Sequence, residues 1–275
     1  MDTLAVIVNY NDEVNLLQCV KSLYGQARIV VWDNASTDNS VLALSKKFPD
    51  VLVHRSPENV LWTPAINSAI DTYLEDEDYI LVSNNDIMYH FNTVEKLRKV
   101  AARPEVGIVA PIGSALGGMQ DFAHHHGKGH QITNPHSFVQ DLPDLRVAYV
   151  VGASVMFRSG VYREVGPWDN EMPLGADDHD YCIRLKEHDY HIMVCQSAYV
   201  AHKGHASGQK AKSIWDEWAS KSWIVFEKKW AGYFSSEEEA LKCHWAAAYH
   251  PGWEKGTGWL PAEERSAIWH ARTNA

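Results

Sequence analysis

Four groups of polar residues in this sequence have the types and spacing to do chemistry. The first is Asn84-Asn85-Asp86, placed directly after the apolar run YILVS. A carboxylate at the end of a buried strand can hold a hard divalent cation, which in turn can hold a diphosphate. The second is Asp33-Asn34-Ala35-Ser36-Thr37-Asp38, after the apolar run RIVVW. Asp33 can accept a hydrogen bond from a pyrimidine ring N–H, and Ser36 can bind a ribose. The same residues equally suit an Asx turn that caps the next helix. The third is Asp177-Asp178-His179-Asp180, three carboxylates within four positions. They repel one another unless a cation, hydrogen bonds or solvent relieve them. The cluster is either an acidic helix start favoured by the helix dipole, or the seat of a general base that takes a proton from an attacking hydroxyl. The fourth is His202, in AHKGHAS, which either completes the coordination of a metal on Asp86 or is a solvated histidine.

The elements that must position these groups are legible from periodicity. Short apolar runs at 4–8, 28–32, 51–54 and 79–83 read as strands buried on both faces. Between them lie amphipathic helices. Asp12 is expected to cap the first, which carries Val14, Leu17, Val20 and Leu23 and is closed by Gly25. The second spans 40–48 and ends before Pro49, and the third spans 63–74 with Pro64 in its first turn. This alternation predicts βαβ units and a parallel sheet, with ligands at the carboxyl ends of the strands. Asn9-Tyr10-Asn11 and the first two groups above fall at those ends. Residues 113–146 are rich in Gly, His, Asn and Pro and read as a long loop. A strand at 149–157, a helix at 178–188, a strand at 192–200 and an amphipathic helix at 213–230 follow.

Composition bounds the function. The chain has 275 residues, 45% of them hydrophobic, and a net charge of −10. That charge argues against a broad surface for duplex nucleic acid, whose binding depends on neutralising phosphates. Cys19, Cys182, Cys195 and Cys243 form no CxxC pair and read as reduced thiols. A strand pattern begins at once, so no signal peptide is expected, and no apolar run reaches the roughly 20 residues of a membrane span. A cytoplasmic protein is the expectation. The stretch 124–130, HHHGKGH, is read as an acceptor-side loop rather than a metal site. Trp215, Trp218, Trp223 and Trp230 are expected mainly to pack. Lys210, Lys212, Lys221, Lys228 and Lys229 either meet a phosphate-bearing acceptor or form a solvated helix face.

Taken together, these motifs resemble the family 2 glycosyltransferases of the GT-A fold, in the rhamnosyltransferase-like branch. The resemblance runs from about Leu4 to about Trp230. Asn9-Tyr10-Asn11 resembles the family's opening turn, and residues 31–40 its VVDNASTDGS element. Residues 59–67 resemble N-x-G-F-x-x-A-x-N, and Asn84-Asn85-Asp86 stands where the family has its Asp-x-Asp-type motif. GASVMFRSGVYREVGPWDNE resembles GAxMLIRRxVFEEVGGFDE, Asp177 to Asp180 match ED-x-D, and His202 with Ser207 matches H-x-x-G-x-S. Leu61 departs from the family's Gly, Asn84 from an acidic ligand, and Asp177 from Glu.

The resemblance implies an α/β GT-A fold, with a Rossmann-like nucleotide-binding half, a mostly parallel central sheet and an acceptor-side C-terminal helical region. It implies a nucleotide-sugar-binding half at 1–112, an acceptor-side half of the same domain at 113–212 and a Trp-rich helical extension at 213–275. It implies an inverting transfer with Asp178 as base, Asp177 able to share that role, and Mg²⁺ or Mn²⁺ held by Asp86 and His202. Asn9, Tyr10, Asn11, Asp33, Asn34, Ser36, Asn59, Asn67, Asn84 and Asn85 would line the nucleotide-sugar pocket. The donor would be a UDP- or dTDP-sugar and the acceptor a saccharide or glycan. A protein side chain or a hydroxymethylated DNA base are alternative acceptors, and a non-catalytic sugar-nucleotide binder is the alternative class.

Overall fold

The computed structural model describes residues 2–114, 116, 120, 143–203, 212–231 and 233. Its strands are β1 Thr3–Asn9, β2 Arg28–Asp33, β3 Leu52–Arg55, β4 Tyr79–Asn84, β5 Ile87–Tyr89, β6 Val106–Ser114, β7 Leu145–Val147, β8 Ser154–Arg158 and β9 His191–His202. Its helices are α1 Glu13–Leu23, α2 Ser40–Lys47, α3 Trp62–Tyr73, α4 Thr93–Ala101, α5 Ser159–Val165, α6 Asp177–Glu187 and α7 Lys212–Trp230.

All nine strands join one sheet in the order β3-β2-β1-β4-β8-β6-β9-β5, with β7 also paired to β9. The first four strands are mutually parallel. β8 is antiparallel to both β4 and β6, β6 runs parallel to β9, and β5 and β7 lie antiparallel to β9. Six of the nine strands therefore share a direction. Alternate residues of β1 explain its unbroken apolar run. Ala5 and Ile7 pack with α1, α2 and α4 on one face, while Leu4, Val6 and Val8 pack with α3 and α6 on the other. A strand covered on both faces gains burial from every side chain. A third, smaller cluster seats Phe226 and Trp230 of α7 on Met172, Ala176 and Ile183.

Several expectations need correction. The strand expected at 149–157 is shorter and later, because residues 149–153 leave the sheet and carry site groups instead. Asp12 does precede α1, but its carboxylate accepts from Asn15 Nδ2 at 2.7 Å and makes no side-chain cap bond. Gly25 follows α1 at φ +81°, a left-handed turn suited to glycine. β6 crosses position 112, so the sheet is continuous across the expected boundary between halves. Residues 124–130, His205, Ser207, Lys210, the side chains of Lys212 and Trp215, and the tail beyond 233 lie outside the described residues. Among the described residues no helix is long and apolar enough to cross a membrane.

Candidate active site

The order β3-β2-β1-β4 places a topological switch beside β1, where open α/β sheets bind ligands at strand carboxyl ends. Asn9, Asp33 and Asn84 close β1, β2 and β4 side by side, with Asn9 opposite Asp33 and Val8 opposite Asn84. The polar side chains here satisfy one another. Asn9 Nδ2 donates to Asp33 Oδ1 at 2.9 Å and to Ser36 Oγ at 3.1 Å, and Asn9 Oδ1 accepts from Asn85 Nδ2 at 2.8 Å. Ser36 donates its backbone N–H to Asp33 Oδ2, and its Oγ accepts the Asn11 N–H. Asn11, at φ +50°, uses Oδ1 to hold the backbone N–H groups of Thr37 and Asp38. Tyr10 sits half-buried in the turn.

Asn9 and Asp33 are 0% exposed. They brace the strand ends against each other, and Asp33 Oδ2 also lies 3.6 Å from Arg55 Nε. The neighbouring Asn34 differs. Its Nδ2 donates to Leu61 O at 2.9 Å, while its buried Oδ1 has no hydrogen-bond partner among the described residues. Asn59 Oδ1 accepts the Leu61 N–H at 2.9 Å. Leu61 thus stands pinned from both sides at φ +68°, ψ −160°, a region that disfavours any residue with a Cβ. Asn67 commits both ends of its amide to Trp168 backbone and also reaches Asn170. It fastens α3 to the 168–170 turn rather than facing a pocket.

Asp86 follows β4, and His202 ends β9. The antiparallel register that sets Ile87 opposite His202 brings the two together. Asp86 Oδ1 and His202 Nε2 lie 3.2 Å apart, with side chains 4% and 7% exposed. A buried carboxylate oxygen and an imidazole nitrogen converging in this way fit two positions of a divalent ion's shell, leaving the rest for phosphate oxygens and water. No group of three or more His, Cys, Asp or Glu suited to a metal occurs among the described residues.

The crowded carboxylates at the start of α6 are sorted by their partners. Asp180 is fully buried and accepts from Arg184 Nε at 2.9 Å and Trp230 Nε1 at 3.0 Å, with Lys229 Nζ 2.8 Å away. Burial, then the adjacent Asp178 charge, pushes the Asp177 carboxyl well above its ordinary range. Burial would also raise Asp178, but His179, Tyr149 and the Gly152 N–H together hold it below the ordinary carboxylate range. His179 contributes both its backbone N–H and its Nδ1 to Asp178 Oδ1 at 2.9 Å. Tyr149 Oη donates to Oδ2 at 2.8 Å. Asp178 also stands close to the nucleotide end. Its Oδ2 accepts from Gly152 N, and the next residue's carbonyl, Ala153 O, accepts from Asn84 N at 2.8 Å.

Tyr149 was not singled out from sequence, and Gly152 and His179, though they fall inside the motifs at 152–171 and 177–180, were given no role there. In the lysine stretch, Lys221 and Lys228 lie exposed on the helix, in keeping with a solvated face. Lys229 is bound to Asp169 and Asp180, and Lys221 pairs with Glu217 and lies over the Trp218 ring.

The fold is the α/β architecture of the GT-A glycosyltransferases. The chain belongs to glycosyl transferase family 2, whose model matches residues 4–166, more than half of the sequence. It is 27% identical over 202 residues to a pre-mycofactocin glycosyltransferase of Mycobacterium tuberculosis, an alignment covering 73% of this chain and 42% of that protein. It therefore spans less than half the length of that relative. It is 22% identical to an N-acetylglucosaminyl-diphospho-decaprenol L-rhamnosyltransferase of the same organism, over 75% of this chain and 76% of that one. Solved structures share the fold. GalNAc-T7 with UDP, GalNAc and Mn²⁺ matches at 12% identity and TM-score 0.59, over 74% of this chain and 44% of that one. A mannosyltransferase from Pyrobaculum calidifontis in complex with GDP-Man and Mn²⁺ matches at 17% identity and TM-score 0.57, over 100% of this chain and 81% of that one.

Proposed function

We propose that this protein is an inverting, metal-dependent glycosyltransferase with Asp178 as general base, using a UDP- or dTDP-sugar and a saccharide or glycan acceptor. The observation that carries this reading is the sorting of the adjacent carboxylates. Asp180 is bound by Arg184 and Lys229, burial and Asp178 raise the Asp177 carboxyl, and Asp178 is held low by donors from His179, Tyr149 and Gly152, next to the residue that pairs with the end of β4. In the reaction, the acceptor oxygen attacks the anomeric carbon from the face opposite the diphosphate. The acceptor proton passes to Asp178, and the C1–O bond to the diphosphate breaks with its electron pair leaving on the nucleoside diphosphate.

Asp86 and His202 would hold the cation, which offsets charge on the departing diphosphate. An imidazole in the donor set favours Mn²⁺ over Mg²⁺, and both structural neighbours hold Mn²⁺. The nucleotide would lie over the Asn9–Asp33–Ser36 frame, flanked by Tyr10, Asn11, Asn59, Asn84 and Asn85. Asn34 Oδ1 is the buried acceptor with capacity left for a pyrimidine N–H. The saccharide acceptor rests on the rhamnosyltransferase relative. Lys229 and Lys221, committed to carboxylates within the chain, lend no support to a DNA acceptor.

Asp178→Asn tests the reading. Turnover should fall by about 10²–10⁴ while donor binding, measured by calorimetry with Mn²⁺, is retained. Near-normal turnover in that variant would remove Asp178 from the base role. Donor binding without turnover in the wild type, across UDP-sugars and saccharide acceptors, would favour a non-catalytic binder.

A further inference from the structure

Asp178 is gripped on both oxygens by two rings that also hold each other. Tyr149 and His179 stack with centroids 3.9 Å apart and planes 26° apart. One donates to Oδ2 and the other to Oδ1. From α7, Trp223 meets the His179 ring edge-on at 4.9 Å, and Phe226 does so at 6.1 Å. His179 is buried, and among the described residues its Nε2 has no hydrogen-bond partner. The side chain's polar attachment is therefore to Asp178 through Nδ1. An imidazole buried with one nitrogen orphaned is an expensive way to fill space, since an apolar ring would avoid that cost.

We infer that His179 is a positioning residue for Asp178: its Nδ1–H, aimed by the Tyr149 stack and the Trp223 edge, fixes the carboxylate's direction and favours its ionised form. This rests on the reading of Asp178 as the base. The logic is that of a hydrogen bond to the charged form, which stabilises that form against desolvation. Of the other titratable side chains near Asp178, Tyr149 is the one that also donates to it. The Asp177 carboxyl, raised by burial and by Asp178, offers no opposite charge, and the Cys182 thiol one turn along is pushed up to about 12, by burial first. Tyr149, held well above its usual range by burial and by Asp178, remains a neutral donor. Asp180 is bound to Arg184 and Lys229. Among the described residues, α7 presents to His179 only the uncharged rings of Trp223 and Phe226. The inference also gives α7 a role in the chemistry, because Trp223 keeps the imidazole in place.

The test compares His179→Phe, which keeps a flat ring in the stack but removes the donor, with His179→Asn, whose amide nitrogen can replace Nδ1. Two quantities are measured on the full chain: the acid limb of kcat/KM against pH, and the titration of the Asp178 carboxyl carbon by NMR. In His179→Phe both should move to higher pH, with kcat/KM on the acid side falling about tenfold for each unit of movement. His179→Asn should return both toward the wild-type position, and Tyr149→Phe should shift them in the same direction as His179→Phe. An unmoved limb and an unmoved carboxyl titration in a folded His179→Phe protein would overturn the inference. If His179→Phe does not fold, Trp223→Leu replaces it and must move both in the same direction by less; no movement is equally fatal. The NMR titration separates the two ideas. It reports on His179 even if Asp178→Asn retains turnover and the base assignment fails.

Discussion

The two polar clusters of this molecule sit at comparable places, the ends of strands and the start of a helix, yet they solve opposite problems. At the ends of β1, β2 and β4, neutral amides and a hydroxyl surround a single carboxylate, and nearly every polar atom has a partner within the cluster. That cluster is a frame. At the start of α6, three carboxylates compete, and the surroundings give each a different state. That cluster holds one reactive charge. Polar residues at an element's end therefore do not announce their job. The partners supplied by distant segments decide it.

The sharpest test of the contrast is Asp180→Ala. It leaves the buried Arg184 without its carboxylate and weakens the hold on Lys229, so stability should fall by about 3–5 kcal/mol in denaturant unfolding. A loss below about 1 kcal/mol would mean that the charged cluster is no more constrained than the neutral one. In the frame, Asn9→Ala removes the amide at its centre. Asp33 Oδ1 then loses the donor, at a cost of roughly 1–3 kcal/mol, with a matching loss of donor binding.

The carboxylates also predict a pH response of opposite sign. Asp177 has a raised folded-state pKa, so the native protein binds more protons than the unfolded chain above the ordinary aspartate pKa. Its contribution to stability is present at low pH and is lost as pH rises toward the raised value. Asp178 is depressed, so its contribution is present above the ordinary pKa and is lost as pH falls through the lowered value. Asp177→Asn should therefore stabilise the protein at neutral pH and flatten melting temperature against pH above the ordinary aspartate range. A destabilised Asp177→Asn protein at neutral pH would show that Asp177 is ionised there.

The smallest effect is expected at Leu61. Leu61→Gly relieves about 1–3 kcal/mol of backbone strain but costs up to about 1 kcal/mol in unfolded-state entropy. A net gain near 1 kcal/mol in thermal unfolding should result. A loss would show that the Leu61 side chain contributes more packing than its conformation costs.

Much of the fold was legible because its signals are local. The runs LAVIV and YILVS demand burial on both faces, and Pro49 and Gly25 mark helix ends, so the parallel half follows from adjacent residues alone. The pairing of β8, β6, β9 and β5 depends on contacts far apart in sequence and left no periodic trace. The same divide runs through the site. Asp86 and His202 could be proposed as partners from motif order, but only the β5–β9 register brings them within 3.2 Å. Asp33 could be named as polar and well placed, yet its burial behind Asn9 and Ser36 is a matter of packing. Residue types and spacing determined by themselves where charge and polarity would gather at strand ends and at the start of α6. The tertiary structure alone decided which carboxylate is pushed up by burial, which is bound by cations and which is held low by donors. Those states are set by burial and by donors arriving from Tyr149, Gly152, Lys229 and Trp230, residues 26 to 50 positions away from the carboxylates they serve.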